Sequence, residues 1–340
     1  MKYAVIDIGS NTVRLAVYLT DGDNFSPVFS QKYTIGLAGY VTDGFLQPEG
    51  IRKACDTLLQ CRSLIALFDG IAETYVFATA SLRNVQNTQE AVDQIFMVTG
   101  FSVDVLSGQA EAYLDYYGVL HEAPLENGLL FDIGGGSTEI VTFAHDGPGL
   151  IESLPIGSLN LAQAYVEKIF PKQKEKEAML GKIHKTFRKR KLHQLPAFPH
   201  LCGIGGTART LLALVQAETM RSTLLLAVPL VIIPITPWAS QLSRYAWRYM
   251  LPESQRVITL AQIRTLEKAL WKRDTDARNL LLQNCPDRLF PIYPGLLILD
   301  ALLDLTECES VYVSKYGVRE GYLRRKLNQN QNQKTEHSLH

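Results

Sequence analysis

The strongest constraint on this chain is a motif that it uses twice. Asp7-Ile8-Gly9-Ser10-Asn11-Thr12 follows an apolar stretch, Tyr3 to Ile6, and Asp132-Ile133-Gly134-Gly135-Gly136-Ser137-Thr138 follows another, Leu129 to Phe131. A second apolar run succeeds each one, Val13 to Leu19 and Ile140 to Phe143. Two apolar runs joined by a tight glycine turn predict a β-hairpin rather than a strand-to-helix crossover. The same hairpin twice predicts two similar lobes facing each other, and 340 residues are enough for two cores.

Composition narrows the class. With 46% hydrophobic and 20% charged residues, wholesale disorder is excluded. The five cysteines are odd in number and contain no CxxC pair, so neither a disulfide framework nor a zinc site is expected. That usage suits a reducing compartment. Met1-Lys2-Tyr3 runs directly into Ala4-Val5-Ile6 without the pattern of a signal peptide, so the expected location is cytoplasmic. Net charge is zero, yet residues 1–150 carry 7 Lys/Arg against 18 Asp/Glu, and residues 151–340 carry 27 against 16. Such asymmetry suits a protein that handles an extended polyanion, and equally two halves that attract each other.

Between the repeats, Glu73 to Ala80 reads as a strand. Thr88 to Thr99 reads as a helix with Ala91, Val92, Ile95 and Phe96 on one face. Phe101 to Leu106 alternates like a strand. Ser107 is then a natural N-cap for a helix running to about Tyr117, with Glu111 about one turn in. Leu201 to Ile204 is a short apolar run ending in Gly205-Gly206-Thr207, before a helical stretch from Ala208 to Val215. Residues 328–340 are polar and aperiodic, and are expected to be a disordered tail.

Two segments admit more than one reading. Lys172 to His193 carries nine Lys/Arg and two Glu, including Arg188-Lys189-Arg190-Lys191; it is either a solvated helix face or a polyanion patch. No charge separates Arg221 from Arg244, and Leu224 to Trp238 is strongly apolar. Pro229, Pro234 and Pro237 interrupt that run, so a buried strand is expected there rather than a membrane span.

Glycine-rich turns after a strand present consecutive backbone N–H groups as a concave anion site. Three of them occur here, at residues 9–12, 134–138 and 205–207, and an aspartate precedes the first two. Asp7 and Asp132 would repel phosphate. They make sense where a divalent cation bridges carboxylate and phosphate oxygens.

These turns, together with Gly203-Ile204-Gly205-Gly206-Thr207-Ala208-Arg209, resemble the phosphate and nucleotide-side loops of the actin-like ATPase superfamily. More narrowly, the chain resembles the exopolyphosphatase and guanosine pentaphosphate phosphohydrolase (Ppx/GppA) family. The segments that carry this likeness are Ala78-Thr79-Ala80-Ser81-Leu82-Arg83, Leu106-Ser107-Gly108-Gln109-Ala110-Glu111-Ala112, Leu154-Pro155-Ile156-Gly157-Ser158 and Tyr316-Gly317-Val318-Arg319-Glu320-Gly321. The resemblance implies an α/β fold of two actin-like (ribonuclease H-like) lobes with mixed sheets facing across a cleft. Lobe I would span 1–125, with a C-terminal helix at 317–327 packed back on it, and lobe II would span 126–316. It implies Glu111 as general base and Arg83 as a phosphate-binding arginine. Asp132 and Glu139 would be metal carboxylates, with Asp7 a further candidate. Gly9, Ser10, Asn11, Thr12, Gly134, Gly135, Gly136, Ser137, Thr138, Gly205 and Gly206 would be the phosphate-binding turns. The implied cofactor is Mg2+ or another divalent cation, and the implied substrate is inorganic polyphosphate or guanosine penta/tetraphosphate. No nucleic acid or membrane partner is expected, and a homodimer is compatible with the family.

The sequence departs from the family pattern at three places. Ala110 stands where a first glutamate is usual, Tyr113 where an arginine is common, and Asn160 where another basic residue is common. Losing two basic positions would weaken the grip on polyphosphate or change chain-length preference. Two other functions stay open: an actin-like kinase or ATPase, and a non-catalytic sensor of alarmones or polyphosphate.

Overall fold

In the computed structural model, residues 1–21, 24–120, 122, 126–227 and 256–337 are described. The first sheet takes β1 (Lys2–Ile8), β2 (Thr12–Asp21) and β3 (Asn24–Thr34) as an antiparallel meander. A small ribbon, β4 (Val41–Thr42) with β5 (Phe45–Leu46), and helix α1 (Pro48–Ile65) follow. The chain then adds β6 (Ile71–Ala78), parallel to β1. Next come helices α2 (Ala80–Arg83) and α3 (Thr88–Thr99), the parallel edge strand β7 (Asp104–Val105) and helix α4 (Gly108–Val119). The strand order is β3-β2-β1-β6-β7.

The second sheet repeats this plan. Strands β8 (Gly128–Ile133), β9 (Thr138–Ala144) and β10 (Gly147–Leu154) form the meander. After α5 (Ser158–Tyr165) and α6 (Gln173–Lys189), β11 (His200–Ile204) joins parallel to β8. Helix α7 (Gly205–Ala227) leaves directly from it. Strand β12 (Val257–Thr259) and helices α8 (Leu260–Trp271), α9 (Thr275–Asn284) and α10 (Ile292–Thr306) precede β13 (Ser310–Val313). The order is β10-β9-β8-β11-β13-β12, and helix α11 (Val318–His337) ends the described chain.

Strand alternation decides what faces the cleft. In β1, Ala4, Ile6 and Ile8 pack with Leu58 of α1 and Ile95 of α3. Tyr3 and Val5 lie on the opposite face under Tyr322 and Leu323 of α11, and by parity Asp7 shares that face. In β8, Leu129, Phe131 and Ile133 belong to the large core built with α5 to α10. Leu130 packs under Ala112, Tyr116 and Val119 of α4, and parity puts Asp132 beside it. Thus α4 follows the first sheet but covers the second, while α11 follows the second and covers the first.

The two exchanged helices cross almost backbone to backbone. A Cβ on Gly321 would strike the Leu114 carbonyl, and one on Gly118 would strike the Gly317 carbonyl. Only glycine permits this approach, which holds both helix N-termini near the cleft.

Several expectations shift. Only Asp104–Val105 of the 101–106 stretch is strand, because pairing is confined to Phe77 and Ala78. The strand expected to reach Ala80 ends at Ala78, and Ala80–Arg83 coils into α2. Phe96 is 53% exposed although Ala91 and Ile95 of the same helix are fully buried. Where a disordered tail is expected, α11 continues to His337; Asn328 and Asn330 tie it down by donating to Tyr117 and Tyr75. The uncharged segment's apolar run falls largely within 228–255, outside the described residues. Among the described residues no helix is long and apolar enough to cross a membrane.

Candidate active site

Both glycine turns close with the same hydrogen bond. Gly9 donates to the Thr12 carbonyl at 2.9 Å, and Gly134 to the Ser137 carbonyl at 2.9 Å. The turns meet across the cleft, where a Cβ on Gly136 would touch the Ser10 hydroxyl and Ala80. The third turn approaches from β11. Gly205 has φ +74°, and a Cβ there would land on the Asp132 carboxylate, so glycine is required on both counts. From that turn α7 points its N-terminal amides into the cleft, a ready place for anionic oxygens.

Asn160 braces the second turn. Its side-chain carbonyl accepts from Gly157 N at 2.8 Å, and its amide donates to the Gly136 carbonyl at 2.8 Å. The backbone amides of Leu159 and Asn160 both donate to Gly135. A position noted as a missing basic residue is therefore part of the turn's support. Tyr113 lies on the exposed side of α4, stacked on Tyr117 with ring centroids 6.1 Å apart, and does not line the cleft.

Ser107 caps α4 by accepting from Ala110 N at 3.1 Å, which sets Glu111 in the first turn facing inward. Arg83 closes α2, anchored by Ser81 donating to the Ile8 carbonyl at 2.7 Å. One Arg83 terminal nitrogen donates to Glu111 at 2.6 Å and to the Leu106 carbonyl at 3.1 Å. The other donates to the Ser137 hydroxyl at 3.3 Å and lies 3.7 Å from Glu139. One guanidinium thus joins residues of both lobes.

Glu139 faces Asp132 in the β8–β9 register and accepts from the Ser153 hydroxyl at 2.7 Å. It is fully buried beneath the second turn, whereas Asp7, Glu111 and Asp132 line the cleft itself. Arg83 and Thr138 also stand behind the lining; Thr138 donates to the Ile156 carbonyl. The remaining turn residues predicted from sequence, from Gly9 to Thr12, Gly134 to Ser137, and Gly205 with Gly206, all line the cleft.

Burial dominates the electrostatics. It pushes Asp7 up to about 6 against the pull of Arg319 and Arg14, and Glu139 up to about 7. Asp132 is also raised by burial, with Arg209 and Arg288 opposing. Glu111 lies well above the usual carboxylate range, from burial first and Glu139 second, with Arg83 opposing. A helix N-terminus favours an ionised carboxylate, but at Glu111 burial outweighs it and favours the protonated form.

Sequence reasoning missed several cleft residues. Arg14 and Arg288 line it without having been noted, and Arg209 and Arg319, noted only as members of motifs and given no role, line it too, bringing four guanidinium groups to the carboxylates. Asp115 was missed as well. It lies one helical turn after Glu111, fully buried, with neither carboxylate oxygen in a hydrogen bond of good geometry. Burial first and Asp132 second hold it well above the usual range, with the Val318 amide opposing. The i, i+4 spacing from Glu111 was the available signal.

Two lobes of repeated topology, meeting through phosphate-type turns over buried carboxylates and arginines, define an actin-like α/β protein. The chain belongs to the Ppx/GppA phosphatase family, whose description matches residues 16–330. It is 27% identical to "Exopolyphosphatase 1" of Mycobacterium tuberculosis over 331 residues, covering 96% of this chain and 88% of that one. The fold is similar to the crystal structure of an exopolyphosphatase from Cytophaga hutchinsonii, with a TM-score of 0.77 at 23% identity, covering 96% and 98% of the two chains. An Aquifex aeolicus member of the same family gives a TM-score of 0.72 at 23% identity, covering 97% and 98%.

Proposed function

We propose that the protein hydrolyses the terminal phosphoanhydride bond of inorganic polyphosphate, and of guanosine pentaphosphate where that substrate is offered. The observation that carries this reading is the Arg83 bridge, which places Glu111 of one lobe against Ser137 and Glu139 of the other. Relatives named exopolyphosphatase over nearly the full chain support the substrate class.

The terminal phosphate would rest on the amides of the three turns, with the cleft arginines taking further charge. Glu111 would take a proton from a water molecule lined up opposite the bridging oxygen. As the new P–O bond forms, the bond to the bridging oxygen breaks, and the shortened chain leaves with that electron pair. Little covalent chemistry is asked of the protein in phosphoryl transfer beyond position and charge. A raised Glu111 is a better base than an ordinary carboxylate once it is ionised.

The donors present are hard oxygens, which suits Mg2+. Among the described residues no three His, Cys, Asp or Glu side chains surround one point, so a cation would share carboxylates with phosphate and water. Asp132 and Glu139, with Asp7 nearby, would hold it, and it would supply charge neutralisation of the phosphates.

One experiment tests the whole reading: phosphate release from long polyphosphate, tripolyphosphate, guanosine pentaphosphate and ATP, side by side with magnesium. Release from the first three but not ATP is expected. ATP-dependent phosphorylation of an acceptor with inert polyphosphate would indicate a kinase, and binding without release a sensor.

A further inference from the structure

Asp115 lies where three elements meet. On α4, Ala112, Tyr116 and Val119 pack over Leu130 of β8, while Leu114 packs with Tyr322 and Leu323 of α11. Asp115 falls between these two faces, one turn after Glu111. A Cβ on Gly317, which lines the cleft, would stand 3.5 Å from an Asp115 oxygen. Asp115 itself does not line the cleft, so its carboxyl sits directly behind the wall.

The side chain is completely buried, and neither oxygen accepts a hydrogen bond of good geometry. A buried carboxylate without a partner is strongly unfavourable, and such a group calls for an ion, a water or a catalytic use to explain it. The other carboxylates of the site have protein partners. Arg83 reaches Glu111 and Glu139, and arginines oppose burial at Asp7 and Asp132. At Asp115 the four largest influences all act against its charge: burial, then Asp132, Glu111 and Glu139, with the Val318 amide opposing them. What such a group lacks is a cation.

Asp132 is the charge that weighs most on Asp115, and it is also the carboxylate placed on the divalent cation above. Among the described residues no three such side chains surround one point, so Asp115 would act on the ion through water. Magnesium keeps several bound waters, and their polarised hydrogens need acceptors. A buried carboxylate with two unengaged oxygens is such an acceptor. We infer that Asp115 is a further carboxylate of the divalent-cation site, holding the ion through its bound water from behind Asp132. The inference rests on the cation assignment made above and adds to it a residue of α4.

The test reads cation binding on the full chain, stripped with chelator and without substrate. Calorimetric titration with Mn2+ compares the wild type, Asp115→Asn and Glu111→Gln, and melting curves with and without magnesium accompany it. Asp115→Asn keeps the size of the side chain and is expected to lower Mn2+ affinity by ~10-fold or more, the scale of losing such a support. Its melting temperature without metal is expected to hold or rise, and the gain on adding magnesium to shrink. Glu111→Gln should cost less affinity, since that carboxylate is engaged by Arg83. Equal losses in the two variants would reflect the general field of the acidic cluster and overturn the assignment. Unchanged Mn2+ affinity with a lowered melting temperature would make Asp115 a brace for the first turn of α11, which also overturns it. Should Asp115→Asn not fold, Asp115→Ser, smaller and uncharged, carries the same expectation. A wild type that binds neither ion overturns this inference together with the cation assignment. Phosphate release in the presence of chelator then shows whether the hydrolase reading survives alone.

Discussion

Arg83 holds Glu111 at 2.6 Å while its other terminal nitrogen reaches Ser137 at 3.3 Å. The residue assigned to bind phosphate therefore also aims the residue assigned as base. Lysine would keep the charge but lose the planar fork that makes both contacts at once. Arg83→Lys is expected to lower kcat by ~10²-fold, the scale of losing one positioned donor. A steady-state assay on tripolyphosphate checks this, and an unchanged kcat would remove Arg83 from the site.

Glu111→Gln keeps the shape of the side chain and removes its ability to take a proton. Turnover is expected to fall by ~10²–10⁴-fold with substrate affinity largely retained. Phosphate release and calorimetric binding measured on the same preparation separate the two effects. Wild-type release from this variant would mean that another group activates the water.

The carboxylates behind and beside the second turn should govern the metal requirement. Asp132→Asn and Glu139→Gln each weaken a hard oxygen ligand, so the magnesium concentration for half-maximal rate is expected to rise in both. Titrating magnesium at fixed polyphosphate measures it. Unaltered dependence in both variants would place the cation elsewhere.

Asn160 gives a structural prediction. Asn160→Ala removes two hydrogen bonds that lock the 134–136 turn to the 157 turn, worth about 1 kcal/mol each. The melting temperature is expected to fall by a few degrees and kcat to fall with it, since the loosened turn holds the phosphate. An unshifted melting curve would show that the turn supports itself.

What could be read from the sequence and what could not have separate physical causes. The repeated turns were legible because glycine beside aspartate after an apolar run has few other uses, and Ser107 was legible because a cap is a local signal. The arginines were not. Arg14 sits in β2 between Val13 and Leu15, where alternation shows that it leaves their face but not what lies opposite. Arg288 lies just before α10 and Arg319 in the first turn of α11, and neither local pattern shows that both line one cleft. Phe96 escaped burial because no neighbouring element covers that side of α3, which its own periodicity could not reveal. The run Arg188 to Lys191 is exposed and does not line the cleft, and Arg190 pairs with Glu152 at 3.2 Å.

The buried carboxylates predict how the protein answers to pH. Asp7 rises from an ordinary 3.8 to about 6, and Glu139 from 4.5 to about 7, both chiefly through burial. A carboxyl with a raised folded-state pKa binds protons more tightly in the folded protein. Its contribution to stability is complete below about 4 and is lost as pH rises through about 7. Asp104 and Asp287 are shifted the other way, and their contribution is lost only as pH falls below the ordinary carboxylate range. Between pH 5 and 8 the raised groups therefore set the slope. Chelator-treated protein is expected to show a melting temperature that falls steadily over that window. Asp7→Asn should flatten part of the fall, because the amide never ionises. Magnesium should flatten it further, since a bound cation favours the ionised carboxylates that burial opposes. Melting curves in matched buffers, with and without magnesium, make the measurement. A melting temperature that rises from pH 5 to 8 in the chelated protein would mean that these carboxylates are not buried as charge-averse groups. The cleft would then already hold its own compensating cation in the four arginines.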